Sequence, residues 1–168
     1  HKSVVRLVDD TVYMLTVLER LEFTMTAYIR AAGRRRVDPA PVVAALRQVL
    51  ALLRDAGLVF GDLSPDNIMM RAVRPEIFDV VLIDPQFVVP ARDFERAATA
   101  AKAAAFDTTY LALKIQAIGL LDPIVRKFTD AVCAGILGHV PLEKHTRRWL
   151  LHDASAGLYI AYDILKRR

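Results

Sequence analysis

The stretch Gly57-Leu58-Val59-Phe60-Gly61-Asp62-Leu63-Ser64-Pro65-Asp66-Asn67-Ile68-Met69-Met70, followed after a short excursion by Asp79-Val80-Val81-Leu82-Ile83-Asp84, carries more information than any other part of the chain. Three polar residues, Asp62, Asn67 and Asp84, each stand at the start or end of an apolar run, which is how a site is mounted on rigid strands. Asp62 and Asn67 keep a D-x-x-x-x-N spacing, in which a carboxylate can face a substrate hydroxyl while an amide oxygen, one turn of loop away, ligates a metal. Asp84 closes an apolar run and offers a second hard oxygen ligand. Mg²⁺ accepts few protein ligands, because it keeps its waters and the phosphates of a nucleotide.

This segment resembles the catalytic loop and metal-binding strand of the protein-kinase-like superfamily. Asp62 matches the catalytic-loop aspartate, Asn67 the metal-binding asparagine and Asp84 the aspartate of the D-F-G triplet. Gly61-Asp62-Leu63 with Ser64-Pro65 is most similar to the H-G-D-L form of aminoglycoside-phosphotransferase-like and other atypical kinases. The resemblance implies ATP and Mg²⁺ as cofactors, with Asp62 accepting the proton of a substrate hydroxyl and Asn67 and Asp84 holding the metal. The side chains of Asp62, Asn67 and Asp84 are accordingly expected to converge on one cleft. An antiparallel hairpin of residues 67–73 with 78–84 would bring Asn67 and Asp84 to the same end.

Upstream of this segment, residues 1–9 alternate weakly and Thr11 to Leu18 form a β-rich run, with Asp9-Asp10 between them as the turn of a hairpin. His1-Lys2-Ser3-Val4-Val5-Arg6-Leu7 is similar to the H-x-N-I-V-R-L segment that leads into the fourth strand of kinases. By the same resemblance Leu18 is the gatekeeper, and Glu19-Arg20-Leu21 the hinge that meets adenine through its backbone. Met69, two residues after Asn67, matches the floor beneath adenine. Residues 1–22 are thus expected to be the last two strands of an N-terminal lobe with the hinge, and 23–168 a C-terminal lobe.

The spacing predicts a helix over Phe23 to Ala32 ended by Gly33. A second helix follows, with Asp38 as its cap and Pro39 at its first position, and runs to Ala56 with Gly57 just past its end. Val42, Val43, Leu46, Val49, Leu50 and Leu53 recur at three and four, the mark of a core-facing stripe. An Ala-rich helix is expected from about Arg92 to Ala105, and another from Phe106-Asp107 through Leu121, apolar on most sides and therefore the most buried. Asp107 matches the kinase aspartate that holds the backbone of the catalytic loop. Ile124 to Leu137 and His145 to Lys166 read as two more helices, the last carrying Trp149 as a core or interface anchor.

Bulk properties narrow the function classes. At 54% hydrophobic and 25% charged the chain is globular. No uncharged apolar run approaches the roughly 18 residues of a membrane span. The single Cys133 excludes an internal disulfide, and a reducing, intracellular setting in cytoplasm or nucleus is expected. A net charge of +4 is too small to argue for nucleic acid as a partner. The chain opens on His1 without a signal-peptide pattern, and is expected to be part of something longer. The histidines form no metal-ligating pair at helical spacing, and no nucleophile elbow is present.

Departures from the kinase pattern shape what the resemblance implies. The glycine-rich loop and strand lysine have no counterpart in these residues. Phe60 stands at the histidine of the loop triplet and Gly61 at its arginine, which removes the receptor for an activation-loop phosphate. Pro85-Gln86 follows Asp84 in place of Phe-Gly, stiffening a hinge. Only 22 residues separate Asp84 from Asp107, too few for a full activation loop, which points away from ordinary peptide recognition. The expected fold is α+β, mainly α: a kinase-like C-terminal lobe with small β-hairpins, the N-terminal lobe largely absent. The expected function is transfer of the ATP γ-phosphate to a hydroxyl on a protein or small molecule, with this chain alone inactive and dependent on a missing lobe or partner protein. The alternative is a pseudokinase, or a truncated kinase lobe serving as a binding or structural module.

Overall fold

In the computed structural model, residues 2–8, 11–17, 22–74, 77–97, 100–138 and 166 are described. Leu18, Glu19, Arg20 and Leu21, and the expected final helix with Trp149, lie outside them. The architecture is α+β, mainly helical, with small antiparallel sheets. Among the described residues no helix is long and apolar enough to cross a membrane.

The expected first hairpin is present: β1 (Lys2–Val8) and β2 (Thr11–Val17) pair antiparallel, from Val8 opposite Thr11 out to Lys2 opposite Val17. A second sheet places β5 (Ile68–Arg74) between β3 (Phe23–Thr24) and β6 (Ile77–Leu82). A third pairs β4 (Leu58–Val59) with β7 (Val89–Pro90). Phe23 and Thr24, expected to open a helix, instead pair with Met70 and Met69 and form the edge of the second sheet.

Helix α1 (Met25–Arg35) begins where the Thr24 hydroxyl accepts the N–H of Ala27 at 3.2 Å, satisfying a donor that the first helical turn leaves without a partner. The helix does not end at Gly33. It runs two residues further and closes on Arg36, which is left-handed at φ 55°. Gly33 is buried in contact with Val125, so the absent side chain serves close packing and not termination. Helix α2 (Ala40–Asp55) is capped by Asp38, whose Oδ1 accepts the Ala40 N–H at 3.0 Å. Its stripe is oriented as the spacing predicts: Val42, Leu46 and Val49 are buried, and Val43, Leu50 and Leu53 pack against the same core. Gly57 follows at φ 65° and turns the chain into β4.

The Ala-rich region divides differently from the sequence expectation. Helix α3 (Ala91–Ala97) is short, and α4 (Ala100–Leu121) runs unbroken through Phe106 and Asp107. Alanines and a lysine between 100 and 105 favour helix, and nothing in Phe106-Asp107 interrupts the backbone, because the Asp107 carboxylate is occupied elsewhere. Every residue from Phe106 to Ala112 is buried, whereas Lys114, Gln116, Ala117, Leu120 and Leu121 are exposed. The expectation of a buried helix therefore holds for its middle and fails for its last turns. A 3₁₀ turn (Pro123–Val125) leads into α5 (Arg126–Leu137), which packs along α4. Ile29, Leu46, Leu63, Met70, Ile115 and Val132 belong to one continuous core that joins α1, α2, α4, α5 and the second sheet.

Candidate functional site

The loop from Phe60 to Asn67 is held by alternate residues. Phe60, Leu63 and Pro65 are buried, while Asp62 and Ser64 between them are only half-buried. Buried residues on both sides of Asp62 anchor the loop in the core, so the carboxylate is presented at the rim of the core and not within it. Phe60, at the position where the kinase pattern has histidine, is one of these anchors, 3% exposed.

The loop backbone is fixed from a distance of more than forty residues. Oδ2 of Asp107 accepts the Phe60 N–H at 2.7 Å and Oδ1 accepts the Gly61 N–H at 3.1 Å. This is the contact that the resemblance assigns to Asp107. Gly61 sits at φ 84°, a left-handed conformation that a side chain would strain. Burial pushes the Asp107 carboxyl up to about 6, with the two backbone N–H groups pulling in the opposite direction.

Asp62 and Asn67 are brought together. The Asn67 Nδ2 donates to the Asp62 backbone oxygen at 3.0 Å and to its carboxylate Oδ2 at 3.1 Å. A turn of Ser64 N–H on the Asp62 carbonyl (2.9 Å) and Asn67 N–H on the Ser64 carbonyl (3.0 Å) folds the five-residue spacing into this contact. The other carboxylate oxygen, Oδ1, accepts the hydroxyl of Tyr110 at 2.9 Å. Burial, the hydrogen bond to Asp62 and the charge of Asp62 all push the Tyr110 phenol upward, so it remains a proton donor throughout the neutral range.

Asn67 and Asp84 lie at the same end of the β5–β6 hairpin, as expected. Ile68 pairs with Leu82, and the Ile83 N–H donates to the Asn67 carbonyl at 3.0 Å. Asp84 follows in the left-handed region at φ 57°, a conformation that costs an L-residue energy and persists where the surroundings impose it. Its Oδ2 accepts Gln86 Nε2 at 2.9 Å. The donor set suits Mg²⁺ in kind: with Nδ2 committed to Asp62, Asn67 has its amide oxygen to offer, and Asp84 adds an exposed carboxylate. Among the described residues no group of three or more His, Cys, Asp or Glu could hold a metal ion, so an ion here would depend on water and phosphate for its remaining ligands. Met69 is half-buried on the sheet face opposite to Ile68 and Met70, sharing that face with its partner Val81.

Beside Asp62 lies a cleft of about 370 Å³ between α1, α4 and the loop. Asp62 lines it together with Ser64 and Asp66, whereas Asn67 and Asp84 are not among its lining residues. Tyr110 and Lys114 line the cleft from α4, and Arg30 lines it from α1. The Lys114 ammonium lies 5.1 Å from the centre of the Tyr110 ring, within the range of a cation–π contact. The Phe94 ring meets that of Phe106 at a tilt, 5.1 Å between centres, and Phe106 stacks on Tyr110 at 5.7 Å, so α3 buttresses the tyrosine that meets Asp62.

Sequence reasoning missed Tyr110, Lys114 and Arg30. Positions 107, 110 and 114 fall on one face of a helix, and once Asp107 is tied to the Asp62 loop the other two must face the same loop; that periodicity was the available signal. Cys133 is no nucleophile: it is buried, donates to the Ala112 carbonyl at 3.2 Å, and its thiol is pushed up to about 12, chiefly by burial and further by Asp130. Comparison of the chain with protein-family models, with curated proteins and with solved structures finds no match.

Proposed function

We propose that this chain carries the catalytic-loop lobe of a kinase-like phosphotransferase, which moves the γ-phosphoryl group of ATP to a hydroxyl. The observation that carries the reading is the double hydrogen bond from Phe60 and Gly61 to Asp107. It ties a central helix to the loop bearing Asp62, so that the reactive carboxylate is held by rigid elements. The contact between Asn67 and Asp62 and the shared hairpin end of Asn67 and Asp84 support the same reading.

In this scheme Asp62 orients the acceptor hydroxyl and takes its proton. An ionised carboxylate offers about four lone-pair sites. Tyr110 and Asn67 each use one of its oxygens, so acceptor capacity remains for the substrate. Asn67 and Asp84 would hold Mg²⁺, which when bound neutralises charge on the transferring phosphates. Met69 offers an apolar surface for adenine, and the backbone of Glu19 to Leu21 would meet its edge. Catalysis of this kind is positioning plus charge stabilisation.

The test is calorimetric titration with ATP and Mg²⁺, comparing the chain with Asp84→Ala. Weak, Mg²⁺-dependent binding that Asp84→Ala abolishes is expected. Binding that is indifferent to Mg²⁺ and to Asp84 would overturn the metal assignment. A second reading, a pseudokinase lobe acting as a binding module, is favoured by one feature: both Asp62 oxygens already have partners within the chain. Tyr110→Phe releases one of them. If the protein transfers phosphate only after that change, the tyrosine is a block and the native chain is a binding module.

A further inference from the structure

The cleft beside Asp62 has two unlike walls. On the loop side stand Asp62, Ser64 and Asp66, and on the helical side stand Arg30 and Lys114. Arg30 lies on the same α1 face as Arg34, one turn away, yet the two differ. Arg34 is paired with Asp122 at 3.0 Å, whereas no carboxylate of the described residues pairs with Arg30 or with Lys114. Lys114 is held over the Tyr110 ring, and the hydroxyl of that ring is on Asp62. One cation is thereby placed beside the reactive carboxylate by a continuous chain of contacts. Ala117, Ile118 and Leu121 continue the α4 wall as an apolar strip. A volume of about 370 Å³ falls within the range of small-molecule sites.

We infer that this cleft binds a small alcohol bearing an anionic group, phosphate or carboxylate, with the anion on Arg30 and Lys114. That the hydroxyl turns toward Asp62 rests on the phosphotransfer reading; that an anion sits on the helical wall does not. Arg30 supplies a planar fork that matches either anion, and Lys114 a point charge. A cationic substrate would meet the two like charges of Arg30 and Lys114 on this wall.

Titrations without nucleotide test the anion site apart from the Mg-ATP experiment, so the failure of one is not the failure of the other. Glycerol 3-phosphate and D-glycerate are titrated at physiological salt into the chain and into Arg30→Gln, Lys114→Gln and Lys127→Gln, with glycerol as the neutral control. Lys127 is exposed on α5 and does not line the cleft. One or both anions should bind, and the tighter of the two names the anionic group. Arg30→Gln and Lys114→Gln should each weaken that binding about five- to tenfold, as expected for removal of one charge-assisted hydrogen bond. Lys127→Gln should leave it unchanged, and glycerol should not bind. Circular dichroism confirms that the exposed substitutions leave the fold intact. The inference is overturned if neither anion binds, if Lys127→Gln weakens binding as much as the cleft variants, or if an acidic serine peptide binds more tightly than both small anions.

Discussion

Asp107 holds Phe60: its Oδ2 accepts the Phe60 backbone N–H at 2.7 Å, while Oδ1 takes the neighbouring Gly61 N–H at 3.1 Å. The carboxylate therefore serves two buried donors in a loop that has no strand partner at those positions. Replacing Asp107 with alanine leaves both donors unpaired. At about 1–3 kcal/mol for each buried group left without a partner, the expected loss for the two is about 2–6 kcal/mol. Asp107→Asn, which can accept one N–H but turns an NH₂ toward the other, should fall between wild type and alanine. Urea unfolding at a constant slope measures both.

The same carboxyl gives stability a pH dependence of defined sign. Burial raises Asp107 from 3.8 to about 6, so the folded chain binds its proton more tightly than the unfolded chain. Its contribution is fully present below pH 3.8 and is lost as the pH rises through about 6. The difference corresponds to about 3 kcal/mol. The stability of wild type minus that of Asp107→Asn should therefore fall as the pH is raised across this window, and level off above it. A difference that rises with pH would mean that the two N–H bonds outweigh burial.

The contacts of Asp107 also mark how far the chain is legible in its sequence. The five-residue spacing of Asp62 and Asn67, the hairpin that aligns Asn67 with Asp84, and the α2 stripe were legible because each depends on local pattern: a turn, a period of two, a period of 3.6. The unbroken run of α4 through Phe106 and Asp107 was not, because Asp107 resembles a helix-starting residue in sequence and becomes an interior one only when its carboxylate has the Phe60 and Gly61 donors to satisfy. Tyr110 was missed for a related reason. Its ring reads as core, and 2% exposure agrees, but the hydroxyl at its edge reaches Asp62 from 48 positions away. The helical period puts Tyr110 on the face of Asp107, but its pairing with Asp62 is set by how the helix packs on the loop, which no short window of sequence encodes.

Gly33 separates propensity from packing. In an isolated helix, alanine is favoured over glycine by about 1 kcal/mol. Here a Cβ at position 33 would lie 2.7 Å from the Cβ of Val125 and 3.1 Å from its backbone Cα, and the backbone contact cannot be relieved by a rotamer change. Overpacking of a close-packed site costs about 1–3 kcal/mol, so packing should win. Gly33→Ala is expected to destabilise by up to about 2 kcal/mol net of the propensity gain, measured by thermal or urea unfolding. A stabilised variant would show that α1 can move away from the 3₁₀ turn at Val125.

Asp84 offers a test in which stability and function move apart. It holds φ 57° without being glycine, and the left-handed region costs most L-residues about 1–2 kcal/mol. Aspartate tolerates that region better than most, and glycine adds entropy to the unfolded chain, which offsets part of any relief. The hydrogen bond that Gln86 donates to Asp84 is exposed, so its removal costs little. Asp84→Gly should therefore unfold within about 1 kcal/mol of wild type, whereas Asp84→Val, β-branched and forced to the same φ, should be clearly less stable. If Asp84 holds Mg²⁺, both variants should lose Mg²⁺-dependent nucleotide binding alike, despite their different stabilities. Equal loss of binding with unequal loss of stability would assign the residue to the metal. Binding that tracks stability across the two variants would instead assign Asp84 to the turn that leads from β6 into the 3₁₀ segment Pro85–Phe87.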